Sequence, residues 1–123
     1  MTAFDPLRSL GINGQTWPMT TTNIPFVERA FTVDGHDVSC RFFRPEPDGL
    51  AFRCRFEIGW PEGIKTKSMG GVDEVQALLL AMSIAHTDLL SARENDGREV
   101  LYLDQRDLDL PFAESIRDWV SKR

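Results

Sequence analysis

The chain has 123 residues, a common length for one domain and long enough to bury a core without disulfide or metal support. Its 41% hydrophobic and 27% charged residues are typical of a globular protein and argue against disorder. The net charge of −5 disfavours nonspecific binding to nucleic acid. The longest apolar run, residues 77–82, is far shorter than the roughly 20 residues that span a bilayer, and residues 1–10 lack a secretory signal. We therefore expect a cytoplasmic protein that binds neither nucleic acid nor membrane.

Residues 1–24 show no sustained hydrophobic period, and we interpret them as an irregular N-terminal arm ahead of a single domain at 25–123. The domain begins with a predicted strand at 25–33. This strand meets Asp34-Gly35, a dipeptide that favours a type I′ hairpin, and a second strand follows at 36–44.

The clearest pattern in the chain is the alternation over 52–60, which is typical of a strand with one buried face. The residues of its apolar side are Phe52, Cys54, Phe56, Ile58 and Trp60. Matching this side to the second strand places Phe42 near Phe52 and Cys40 near Cys54. A turn at 45–49 is expected to join the two strands.

After a fourth strand at 64–69, the apolar period lengthens to between three and four residues. This change predicts an amphipathic helix at 73–92, with Asp73 as its N-cap. The stripe expected to pack on the sheet comprises Val75, Leu78, Leu79, Met82, His86, Leu89 and Leu90. A second, smaller stripe needs a different cover and comprises Ala77, Leu80, Ala81 and Ile84.

The segment 110–120 is the expected cover for the second stripe, with a second subunit as the alternative. Its packing residues would be Phe112, Ile116 and Trp119, and residues 99–103 indicate a short fifth strand before it. The predicted fold is α+β, an antiparallel β-meander of four to five strands with one long amphipathic helix packed on one face and a short C-terminal helix. The predicted core comprises Phe42, Phe52, Phe56, Ile58, Leu78, Leu79 and Met82.

Few side chains suggest chemistry. His86 lies two positions before Asp88 on the predicted helix and is either a structural histidine or an acid–base group. Cys40 and Cys54 are expected to be buried thiols of a reducing compartment, although their predicted proximity would also allow a disulfide. The spacing of histidine, cysteine and carboxylate residues favours no zinc site. We predict no cofactor, no metal and no catalytic residue.

The sheet face opposite the apolar stripe is predicted to be basic. The residues assigned to it, as a candidate binding site, are Arg41, Arg53, Arg55, Lys65 and Lys67. One interpretation is a solvated face with cross-strand ion pairs, such as Glu57 with Lys67. The other is a docking surface for an acidic partner.

Three stretches of the chain resemble a family of small bacterial proteins catalogued as a domain of unknown function. They are RFFRPEPDG at 41–49, FRCRFEIGWPEG at 52–63 and GVDEVQALLLAMSIAHTDLL at 71–90. The resemblance covers the middle half of the chain. It implies a bacterial, intracellular, stand-alone protein and assigns no site residues.

The sequence favours a noncatalytic protein-binding module, because no acid, base, nucleophile or ligand set converges and the chain is small and acidic. A concrete version is an immunity or antitoxin-like protein that masks a basic toxin, since opposite charges speed such encounters. One alternative is a small enzyme that uses His86 as an acid or base with Asp88, in a pocket between helix and sheet. Another is a structural homodimer that uses the second helix stripe.

Overall fold

The computed structural model describes residues 24–121, so the predicted arm lies outside the described residues except for Ile24. This part of the chain confirms the α+β class. In chain order its elements are β1 (Pro25–Val33), β2 (His36–Phe43), β3 (Glu46–Asp48), β4 (Ala51–Trp60), β5 (Gly63–Gly71), α1 (Glu74–Asp96), β6 (Val100–Leu101) and α2 (Arg117–Ser121), with a 3₁₀ turn at Glu114–Ile116.

All six strands form one antiparallel sheet with β4 near its centre. β5 pairs with one edge of β4. The other edge of β4 pairs with β3 near the start of the strand and with β2 further along. Beyond β2 the sheet continues through β1 to β6. The predicted hairpin between β1 and β2 is confirmed, with Val33 opposite His36. Its turn residues Asp34 and Gly35 have φ values of 52° and 82°, the left-handed conformation that a type I′ turn requires.

The register between β2 and β4 differs from the prediction. Phe42 lies opposite Phe56 rather than Phe52. Cys40 lies opposite Ile58 rather than Cys54, so the register is shifted by four positions along β4. The cause is β3, because the chain continues as an extended strand where a turn was expected. The reversal is confined to a two-residue loop that begins at Gly49, whose φ of 67° suits glycine.

The core lies between α1 and the sheet face that α1 covers, which we call the helix face. Phe42, Phe56 and Ile58 are buried there as predicted. The rings of Phe42 and Phe56 are 6.0 Å apart and tilted by 39°, a favourable geometry for an aromatic pair. Phe52 packs at the margin of this cluster and is half-buried.

The helix side of the core agrees with the predicted stripe only in its second half. His86, Leu89 and Leu90 are buried as predicted, whereas small residues take the buried positions nearer the start of α1. The residues of this alanine row, all with 0% exposure, are Ala77, Ala81 and Ala85. Leu78 and Met82 lie at the margin of the core, whereas Leu79 is 48% exposed and the prediction for it is wrong. Where the aromatic rings of the sheet fill the space between the layers, close packing leaves room only for alanine at the three positions of the alanine row.

Gly71 shows how closely α1 approaches the sheet. A Cβ atom at this position would lie 2.8 Å from Ala77 Cα and 2.9 Å from the Gln76 carbonyl carbon, and closer still to the Ala77 nitrogen. A Cβ at Gly70 would meet nothing nearer than 3.7 Å. Only the second of the two glycines is therefore required by packing.

Both ends of α1 carry recognisable caps. The predicted N-cap is confirmed, because the Asp73 carboxylate accepts a hydrogen bond from the Gln76 N–H at 2.8 Å. The helix continues past residue 92 to Asp96 and ends at Gly97, whose φ is 70°. By length and composition α1 is the one helix of the described residues that could cross a membrane, with a mean hydropathy of 1.4. A core helix has the same property, and α1 packs on the sheet through its alanine row.

The C-terminal segment packs against the core, but not where it was expected. Ile116 is buried, and Phe112 and Trp119 are half-buried at the core margin. The Phe112 ring meets His86 edge-on at 6.2 Å. His86 lies roughly 160° around the helix from Ile84, so this segment covers the His86 flank of α1 and not the predicted second stripe.

The core assignment predicts a large difference between two truncations. Phe56→Ala should lower the free energy of unfolding by about 3–5 kcal/mol, because Phe56 is 1% exposed and its removal leaves a cavity. Leu79→Ala, on the exposed side of α1, should change it by less than about 1 kcal/mol. Urea denaturation of both variants measures the difference, and equal losses would contradict this assignment of helix faces.

Candidate functional site

Arg41, Arg53 and Arg55 lie on the outer face of the sheet, turned away from α1, as predicted. Arg41 Nε and Nη1 each lie 3.2 Å from a carboxylate oxygen, the first of Glu28 and the second of Glu57. Arg55 Nη1 lies 3.5 Å from the other oxygen of Glu57. The positive charges of this face are thus largely balanced by carboxylates on the same face.

Lys65 and Lys67 do not belong to the outer face, and this part of the prediction is wrong. Lys67 is opposite Phe56 and Lys65 is opposite Ile58, so both project to the helix face. Residues opposite each other in an antiparallel pair of strands lie on the same face of the sheet. The sequence prediction was wrong by one residue in the register of β5. Lys67 Nζ forms an ion pair with Asp88 of α1 at 2.9 Å, not with Glu57.

A shallow depression of about 260 Å³ lies on the outer face beside the β3–β4 hairpin. The Arg55 guanidinium covers the buried Phe43 ring at 3.7 Å, and Arg53 pairs with Asp48 at 2.9 Å. Its polar lining residues are Arg44, Glu46, Asp48, Arg53, Arg55 and Ser68. Both signs of charge meet there, so the depression does not form the purely basic surface that the sequence predicted.

His86 and Asp88 are separated by the structure. Residues two positions apart on a helix point in directions about 160° apart, and these two line different depressions. Asp88 faces β5 and Lys67, whereas His86 faces the C-terminal segment. The predicted acid–base pair in one pocket is therefore wrong.

His86 is held in a structural environment. Its Nδ1 lies 3.0 Å from the Pro111 carbonyl oxygen, which can only accept, so Nδ1 carries the proton. Burial lowers the pKa of His86, while hydrogen bonds to the Pro111 and Leu110 carbonyls oppose that shift. The neutral ring is the favoured form, and it anchors the C-terminal segment to α1.

The two cysteines are separate buried thiols. Cys40 is opposite Ile58, four residues along β4 from Cys54, which places their backbones roughly 13 Å apart at strand spacing. A disulfide needs about 4.4–6.8 Å between Cα atoms. Burial raises the pKa of Cys40 to about 12 and that of Cys54 to about 11. Among residues 24–121 no group of three or more histidine, cysteine or carboxylate residues is arranged to hold a metal ion.

Arg29 and Arg93, which the sequence analysis did not single out, fasten the chain after α1 to the rest of the domain. Arg29 Nη1 donates to the carbonyl oxygens of Leu108 at 3.0 Å and Asp109 at 2.6 Å. Its guanidinium also stacks 4.3 Å from the Tyr102 ring centre. The sequence feature that could have identified Arg29 was its position on the apolar side of β1, opposite Cys40.

Arg93 performs the same task from the last turn of α1. It is buried, and its Nη2 donates to the Arg106 carbonyl oxygen at 2.8 Å and to that of Val100. Hydrogen bonds to a charged donor are stronger than neutral ones. Arg29 and Arg93 together hold residues 100–109 in one position.

The segment that these arginines hold presents carboxylates around a depression of about 340 Å³. Asp107 Oδ1 accepts from the Asp109 N–H at 2.9 Å, and Asp104 and Asp109 have φ values of 63° and 55°. Aspartate tolerates this left-handed conformation better than most residues. The residues that line the depression are His86, Asp107, Asp109, Leu110, Phe112, Arg117 and Val120. We call these lining residues, together with Asp104, the acidic C-terminal surface.

Residues 27–112 match the model of a family described as a domain of unknown function (DUF6968). The chain belongs to this family. The match extends from Val27 in β1 to Phe112 and so includes nearly all of the sheet, α1 and most of the acidic C-terminal surface. No curated protein and no solved structure matches the chain.

The burial of His86 predicts a pH-dependent stability. Because its pKa is lower in the folded state, the unfolded chain binds the proton more readily, and stability should fall as the pH drops below about 6.5, the ordinary value for histidine. His86→Gln should remove that part of the dependence between pH 7.5 and 5.5, whereas His36→Gln, at an exposed position, should retain it. Denaturation at both pH values tests this, and the same slope in His86→Gln and wild type would contradict the structural role.

Proposed function

We propose that this chain is a noncatalytic protein-binding module of the immunity or antitoxin type, which binds a basic protein through the acidic C-terminal surface. The observation that carries the proposal is the uneven distribution of charge along the fold. The sheet region 25–71 has seven acidic and seven basic residues, whereas 94–118 has eight acidic residues and only three basic ones. Most of the net negative charge of the described residues therefore lies in the last turn of α1 and the segment that follows it.

The backbone that carries the carboxylates of the acidic C-terminal surface is held in place. Two arginines hold it, and the ladder of β1 with β6 anchors its start. A preorganised surface loses little conformational entropy on binding. These carboxylates also raise the rate of encounter with a positively charged partner.

Apolar side chains beside the carboxylates give this surface a second property of protein interfaces. Leu110, Phe112 and Val120 line the same depression as Asp107 and Asp109. Interfaces commonly combine an apolar centre with a charged rim.

We extend the proposal to a bacterial, cytoplasmic setting. The two cysteines are free and buried, which suits a reducing compartment. The likeness of the chain to small bacterial proteins supports the same setting.

The proposal predicts that a partner captured from the source cells is a basic protein. It also predicts that removal of carboxylates from the acidic C-terminal surface weakens the binding of that partner. Asp104→Asn with Asp109→Asn removes two exposed carboxylates and keeps residues that tolerate positive φ. Binding of the identified partner, measured by biolayer interferometry, should weaken at least tenfold, or about 1.4 kcal/mol, and its association rate should fall as salt increases.

The matched control removes the same charge from the sheet. Asp37→Asn with Glu46→Gln lies on β2 and β3, away from the acidic C-terminal surface, and should bind as wild type does. Equal binding by both double variants, or retention of acidic proteins only, would refute the proposal.

A further inference from the structure

β5 is an open edge of the sheet. It pairs with β4 over nine residues without a register break, and within residues 24–121 no strand pairs with its other edge. It contains no proline and no bulge, which are devices that protect natural edge strands. Residues 63–68 are all exposed. The outward backbone groups can therefore pair with one more strand.

Apart from Asp88, the flank of α1 above this edge is uncharged from Gln76 to Ser91. The ion pair of Asp88 with Lys67 shows which flank overhangs β5. The uncharged neighbours of Asp88 along this flank are Gln76, Leu80, Ser83, Ile84, Thr87 and Ser91. In a chain with 27% charged residues, such a flank differs from an ordinary solvated helix face. Depletion of charge is typical of the centre of a protein interface.

Two exposed aliphatic side chains lie near the ends of β5: Ile64 is its second residue, and Val72 follows its last residue. Ile64 is 63% exposed and Val72 is 73% exposed. An antiparallel pair of β5 strands with its two-fold axis at Ser68 would place Ile64 of each copy opposite Val72 of the other. Both exposed side chains would then be covered in each copy. The strand is therefore complementary to itself in this register. We propose that a second copy of this chain binds here, joining two sheets into one through β5.

The lysines of β5 do not oppose this pairing. Lysine on an edge strand usually discourages association, but Lys67 is paired with Asp88 of its own chain. In the proposed register Lys67 lies opposite Met69 and Lys65 lies opposite Gly71 of the second copy. No lysine faces another lysine across the interface.

The position of α1 fits the same arrangement. α1 packs mainly on β5 and β4, so its axis lies about half a strand spacing inside β5. With strands about 4.8 Å apart, the two helices of the joined sheet would lie about 10 Å apart. Packed helices are separated by 8–10 Å, so the flanks with Leu80 and Ile84 would meet and complete each other's cover.

The oligomeric state tests the proposal directly. Sedimentation velocity of the full chain at tens of micromolar should give twice the monomer mass of 14.0 kDa. Leu80→Glu should reduce the mass to that of the monomer, because it places a charge among the uncharged residues of this flank. Leu79→Glu, one residue away on a different side of α1, should remain dimeric. A monomeric wild-type chain, or a Leu80→Glu variant that stays dimeric while folded by circular dichroism, would overturn the proposal.

Cross-linking tests the register. Ser68→Cys should form an intermolecular disulfide on oxidation, because directly opposed Cβ atoms lie about 4.5–5.5 Å apart. Thr66→Cys should not, since Thr66 would lie opposite Gly70 and roughly 13 Å from its own copy. The native thiols are buried and do not compete. A disulfide in Thr66→Cys and none in Ser68→Cys would overturn the proposed pairing.

Discussion

The rest of the structure depends on the close packing of the alanine row of α1 against the aromatic helix face of the sheet. Large side chains on the strands, including Phe42 and Phe56, meet small ones on the helix, so the two layers approach until the backbone of α1 touches Gly71. Larger helix residues such as Leu79 are consequently turned away from the sheet. The rotation of α1 about its axis then determines which of its flanks are left to be covered by other parts of the protein.

The two flanks of α1 differ in how the chain covers them. The His86 flank is covered from within the chain, by a segment that Arg29 and Arg93 fasten through backbone carbonyls and that His86 itself anchors at Pro111. This attachment fixes the acidic C-terminal surface, on which the proposed binding of a basic protein rests. The opposite flank, with Leu80 and Ile84, overhangs the open edge of β5. There the domain offers both backbone groups and uncharged side chains, which is the basis of the proposed pairing of two copies.

The sequence predicted the elements better than their contacts. The alternation over 52–60 and the Asp34-Gly35 turn act locally, so β4 and the first hairpin were predicted correctly. The register of β2 with β4 was not, because Pro45 and Pro47 suggested a turn where β3 continues the strand. The same kind of error, one residue in β5, moved Lys65 and Lys67 to the wrong face.

The faces of α1 could not be chosen from periodicity alone. Leucine, methionine and alanine occur on nearly all sides of this helix, and hydrophobicity scales favour the larger side chains. Packing reversed that preference in the first half of α1, where the strand rings had already filled the layer, and Leu89 and Leu90 are buried only further along the helix. The candidate site was harder to predict from the sequence than the faces of α1. The arginine contacts join residues 79 positions apart or reach only backbone atoms, as in Arg29 with Leu108, and no short motif encodes such contacts.

Substitution of the two adjacent glycines tests the central claim most directly. Gly71→Ala places a methyl group against the backbone of Ala77 and should lower the free energy of unfolding by about 1–3 kcal/mol, as overpacking does. Gly70→Ala has space for its methyl group and should leave stability unchanged or raise it by up to about 1 kcal/mol. Equal stability of the two variants in urea would show that α1 does not pack against the sheet at this distance.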